Sequence, residues 1–134
     1  MPVAEIQTPV EVALVFDVLE SGQVLVPSIR LSDDAGILIF VCPDNEPEWR
    51  RTPRPRGRYM ATMSIPGNFL AEGMFKVGVG LATSVPETTH FLELDCVSFQ
   101  VIDRMEEGGV RGDFSGHFPG MVRPKLRWCN ERLH

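Results

Sequence analysis

Helical patterning is missing from this chain. No stretch of 11 or more residues places apolar side chains at helical spacing, so a helix-built core is excluded. Long apolar runs are missing too. The longest, ILIFVC at 37–42, falls far short of the ~20 residues that cross a bilayer. The opening MPVAEIQTPVEV has neither a basic n-region nor a long apolar h-region, so no secretory signal is expected. Cysteine is scarce. Cys42, Cys96 and Cys129 are odd in number, widely separated and without a CxxC, which predicts free thiols in a reducing cytoplasm. Histidine is equally sparse. His90, expected at a strand edge, His117, and His134, expected at a frayed end, have no partner at metal-ligand spacing. No metal and no cofactor are expected.

Catalytic signatures are absent as well. There is no GxxxxGK[ST] phosphate loop and no GxGxxG between a strand and a helix. The two glycines of KVGVGLATS sit in a strand-like run. GDFSGH puts two residues between Gly112 and Ser115, so it is not a GxSxG nucleophile elbow. Positive charge is in deficit, and a net charge of −5 argues against general nucleic-acid binding. Yet the charge is uneven. RRTPRPRGR at 50–58 carries five arginines directly after the acidic DNEPEW at 44–49. Two readings stay open for this pair: a self-paired solvated surface, or an anion site using the bidentate reach of Arg.

What remains is strand. The 134 residues suffice for one domain with a real core. Period-two alternation marks 10–19, where Val10, Val12, Leu14, Phe16 and Val18 share a face, then 25–33, 36–42, 58–66 and 74–83. Segment 90–103 closes the regular part, but its parity slips. Leu92 and Leu94 alternate inward, then Val97, Phe99 and Val101 take over, which predicts a bulge near Asp95 and Cys96 or two separate strands. GNFLAEG at 67–73 could form one helical turn at most. Short strands punctuated by turns predict a single all-β domain over 1–134, an antiparallel β-sandwich.

Two short patterns invite enzymatic or adhesive readings. Glu93 and Asp95 could project from one strand face like a glycosidase pair, although a solvated strand face explains them equally. RGD at 111–113 is a three-residue match with no sign of secretion. Enzyme chemistry is therefore not expected.

The motifs that remain fall into one order. Ile65-Pro66 ends a strand, and Leu70 to Gly73 make an L-x-x-G turn. Phe75, Val77, Val79 and Leu81 form an aromatic-x-V-x-V-x-L strand, Phe99 and Val101 belong to a later F-x-V strand, and 111–128 read RGD-x-x-G…PG-x-VRP-x-L-x-W. Over roughly 25–128 the chain resembles the C-terminal carbohydrate-binding domain of the Wzt-type ATP-binding proteins of bacterial polysaccharide (O-antigen) ABC exporters. Phe75 stands where Tyr is common, and the first 20 residues match weakly.

The resemblance implies an immunoglobulin-like sandwich that binds the exported polysaccharide, often near its modified terminal end, in lipopolysaccharide biosynthesis. It implies a homodimer with exchanged C-terminal strands. It also implies an ATPase domain, whose motifs this chain lacks, and a membrane permease as partners at the cytoplasmic face of the inner membrane. The arm would be 108–134, rich in Gly and Pro, with 121–128 as an extended edge strand anchored by Val122, Leu126 and Trp128. Folding back onto its own subunit is the alternative.

For the ligand, Gly78 and Gly80 alternate with Lys76 on the face opposite Phe75. They would leave either a notch for sugar or a close approach for a neighbouring strand. Thr62 would share that face, with Trp49 and Arg58 as a rim. The candidate ligand-binding residues are thus Trp49, Arg58, Thr62, Lys76, Gly78 and Gly80. A domain that only dimerises, with no glycan binding, is the rival function.

Overall fold

The computed structural model describes residues 1–84 and 87–133, and His134 lies outside them. Seven strands account for the regular structure: β1 Val3–Glu5, β2 Val10–Val18, β3 Leu25–Asp33, β4 Leu38–Pro43, β5 Gly57–Ile65, β6 Gly73–Ser84 and β7 Glu87–Ile102. They form a five-stranded sheet in the order β1-β7-β6-β3-β4 and a two-stranded sheet of β2 and β5. No helix occurs among the described residues, and the two sheets face each other as a sandwich.

The expected alternation is present. Along β2 the face of Val10, Val12, Leu14, Phe16 and Val18 turns inward, while the intervening residues are exposed. β3 alternates likewise, with Ile29 and Leu31 buried. Between the sheets, Ile29, Leu31, Ile65, Phe75, Val77 and Phe99 form the heart of the core, and Phe75 stacks on Phe99 at 5.7 Å. Each such side chain, once buried, contributes about 1.5–3 kcal/mol.

The structure modifies three expectations. The sandwich is not purely antiparallel, because β1 runs parallel to β7, pairing Val3 with Gln100 and Glu5 with Ile102. Segment 67–73 is not helical. It is a bent segment with Asn68 at φ 56°, pinned by the Asn68 N–H on the Ile6 carbonyl (2.8 Å) and a bridge from Leu70 to Val122. Gly67 permits this approach, since a Cβ there would lie 2.2 Å from the Gln7 carbonyl oxygen. Segment 121–128 does not form a strand. Met121 and Arg123 bond back to Ala71 and Phe69 of the same chain.

The bulge stands where the parity slip puts it. Val77 pairs with Val97 but Val79 pairs with Glu93, so extra β7 residues oppose Gly78. Asp95 absorbs the detour at φ 59°. At the other hairpin the Asp33 carboxylate accepts the N–H groups of Ala35 and Ile37, and Gly36 takes φ 84°. The DDAG turn is therefore a side-chain-to-backbone turn.

Candidate functional site

The two-stranded sheet is too narrow to cover five strands, so a groove runs beside each of its edges. The first lies between the edge strands β4 and β5, over β3, and encloses about 300 Å³. Its making begins at Pro27. Proline carries no N–H, yet Pro27 sits within β3, between β6 and β4. It is tolerated because the β3–β4 ladder stops at Ser28 and Pro43. Past that point only the Asp44 N–H reaches the Pro27 carbonyl, at 2.8 Å.

The chain then turns sharply. Asp44 Oδ1 accepts the Glu46 N–H at 3.1 Å, and the Glu46 carbonyl accepts from Trp49 and Arg50. This turn sets Asp44, Asn45 and Glu46 on one rim. Leu14, Ile29, Ala61 and Met63 add apolar surface, while Ser28, Thr62 and Ser64 border the groove from strand positions whose side chains alternate to the outer faces. The outer edge of β5 has no strand partner among the described residues, so its outward N–H and C=O groups face this groove. The arrangement offers carboxylate, amide and backbone hydrogen-bonding groups beside an aliphatic surface.

The second groove, about 510 Å³, lies along the free edge of β2 and reaches Leu81, His90 and Phe91. It is the more apolar of the two, with Val15, Leu19 and Phe91 about half or more exposed.

The arginine loop resolves into distinct roles. Arg54 is 3% exposed, and its guanidinium lies 4.8–5.1 Å from the ring centres of Trp49, Tyr59 and Phe16. Burial lowers its pKa, and its Nε has no hydrogen-bond partner. The rings therefore hold this cation through their faces. Arg58 donates from Nε to Asp17 at 2.8 Å, and that hydrogen bond holds the Asp17 carboxyl below the usual carboxylate range. Neither reading left open describes Arg54, which is buried among rings, and Arg58 pairs with Asp17 of β2 rather than with the acids at 44–49.

The six candidate residues do not converge. Thr62 lines the β4–β5 groove, while Trp49 and Arg58 lie near Arg54, their faces or charges already engaged. Lys76, Gly78 and Gly80 lie on the outer face of the large sheet. No notch opens at the glycines. A Cβ on Gly78 would stand 3.1 Å from the Glu93 carbonyl oxygen, and one on Gly80 would stand 2.7 Å from Ser28 Oγ. The bulge of β7 and a β3 side chain fill that space, so the glycines serve close approach of strands. Sequence reasoning missed Ser28, Asp44, Asn45 and Glu46 as groove residues. The signal was the polar DNE run directly after a strand, which was read only as a counter-charge to the arginines.

The RGD-to-VRP tail is a structural clasp. Arg111 donates to the carbonyls of Phe114 and Gly116, each at 2.9 Å, and pairs with Glu72 at 2.8 Å and Asp103 at 3.5 Å. Arg123 donates to the other Glu72 oxygen and to the Phe118 carbonyl. Both guanidinium groups lie against the Phe118 ring. An arginine so engaged is not presented to a receptor, which removes the basis for an adhesive RGD. Glu93 and Asp95 are exposed, line neither groove, and lose their shared face at the bulge.

The solved structure of the C-terminal domain of Wzt is similar to this chain, with a TM-score of 0.70, 15% identity, and coverage of 97% of this chain and 73% of that one. No family model matches the chain, and no curated protein matches it. At that identity the likeness is one of fold. The sandwich of this chain, expected from its strand periods, is similar in fold to that domain.

Proposed function

We propose that this chain is a non-catalytic carbohydrate-binding domain that engages a polysaccharide for export by an ABC transporter. The observation that carries the reading is the fold, shared with a Wzt C-terminal domain over 97% of the chain. The motif order in the sequence leads to the same family by a separate route. The β4–β5 groove supports the reading chemically. Sugars need many hydrogen-bond partners and a patch for their C–H faces, and this groove supplies both.

In this reading the ATPase domain and the permease are the partners, the ligand is an O-antigen-type polysaccharide, and the work is done at the cytoplasmic face of the inner membrane. The domain acts as a homodimer. The tail is clasped to its own subunit through Lys125, which bonds the Asn68 and Gly108 carbonyls. Exchange would therefore use the residues beyond, where Leu126, Trp128 and Leu133 are 70%, 88% and 83% exposed.

That exposure also favours the rival, a domain that only dimerises. Calorimetric titration with the polysaccharide of the same gene neighbourhood, intact and terminally trimmed, separates them. Saturable binding to the intact polymer supports the carbohydrate reading, and weaker binding to the trimmed one places recognition at the terminus. A stable dimer that binds neither polymer establishes the rival.

A further inference from the structure

Resting on that reading, we infer that the β4–β5 groove takes a neutral stretch of glycan and rejects acidic sugars and phosphate. The groove's lining contains no Lys, Arg or His, whereas its rim carries the Asp44 and Glu46 carboxylates and the Asn45 amide. The arginines that follow in sequence are not among the lining residues, and the one whose charge acts on Asp44, Arg54, is buried away from the groove. Arg54 is held against the rings of Phe16, Trp49 and Tyr59, and Arg58 is paired with Asp17. An anionic sugar would enter beside two carboxylates with no cation among the lining residues, and in a partly enclosed site that repulsion is poorly screened.

A neutral sugar meets the opposite situation. Carboxylates are acceptors only, and a pyranose presents several hydroxyl donors. Asp44 spends Oδ1 on the Glu46 N–H, which fixes the carboxylate and leaves Oδ2 for a ligand. The Asn45 amide can both donate and accept at the same rim. Leu14 and Met63 offer the C–H face an aliphatic surface; no aromatic ring lines this groove, so stacking is not its mode of binding.

The test uses the intact chain and a panel of neutral homopolysaccharides, namely a 1,4-linked mannan, a 1,4-linked galactan, a rhamnan and a dextran, with C6-oxidised derivatives of the mannan and the galactan, whose C6 hydroxyls are free. Calorimetry is expected to show a neutral member binding about tenfold or more tighter than its oxidised form at low salt. The double variant Asp44→Asn, Glu46→Gln keeps hydrogen-bonding capacity and should narrow that gap to a few-fold. Ala61→Trp, on the inward face of β5, should fill the groove and abolish binding. Asn45→Trp, at the exposed rim, provides a second block should Ala61→Trp misfold. Oxidised forms binding as tightly as neutral ones would overturn the inference. Unchanged binding in both blocking variants would overturn it while leaving the carbohydrate function standing. No binding of any panel member, with the chain's own polysaccharide also inert, would overturn both.

Discussion

Replacing Glu72 with Ala would strip the carboxylate from two guanidinium groups at once, since Arg111 and Arg123 each take one of its oxygens. The Arg123 side chain is 2% exposed and its Nε already lacks a partner. Leaving such a cation unpaired is expensive, and Glu72→Ala should cost about 3 kcal/mol in urea unfolding, with protease cleavage appearing within 108–125. The exposed pair Asp17–Arg58 should behave oppositely. Its hydrogen bond lowers the folded-state pKa of Asp17, so its contribution is present above the ordinary value of about 3.9 and fades as pH falls through the depressed one. Carboxyl NMR titration should find Asp17 below the ordinary value and find it raised in Arg58→Ala, with little change in stability. Which arginine of RRTPRPRGR would be caged was not legible in the sequence. A Pro-rich loop has no period, and the three rings that select Arg54 come from β2, β5 and the loop itself.

At the level of elements, β6 and β7 show how closely sequence signals track structure. The slip from Leu94 to Val97 announced a bulge, and Gly78 is the residue it crowds. Gly78→Ala should therefore destabilise by about 1–3 kcal/mol, because its obstacle is the β7 backbone at Glu93. Gly80→Ala should cost less, since the Ser28 hydroxyl can rotate away, and Ser28→Ala should recover part of the loss in a double-mutant cycle. Strands β2 and β3 were legible because nine residues of alternation leave little ambiguity. Strand β1 and the 67–71 segment were not. Each is a few residues long and owes its conformation to partners distant in the chain, Gln100 to Ile102 for one and residues 6 and 121–125 for the other. The groove was not legible: Thr62 was chosen for a face shared with Gly78 and Gly80, and the Asp44 to Glu46 rim depends on where β4 ends against Pro27, which is a property of two strands rather than one.

For the whole molecule, the tail divides at Lys125. A chain ending there keeps the clasp of Arg111, Arg123 and Glu72 and should fold. If residues 126–134 carry the exchange, it should sediment as a monomer where the full chain is a dimer. A chain ending at Glu107 loses both clasp arginines and uncovers Leu70 and Ala71, now 4% and 1% exposed, so it should be markedly less stable or insoluble. The narrow two-stranded sheet explains why a domain this small keeps two grooves open, and the one between β4 and β5 is the more polar. Amide chemical shifts of the 15N-labelled chain, followed during titration with the polysaccharide of its gene neighbourhood, report on that groove directly. Saturable shifts at residues 44–46 and 61–64, with Arg111 and Arg123 unmoved, are expected. A titration to excess polymer with no saturable shift at those residues would contradict a carbohydrate site between β4 and β5.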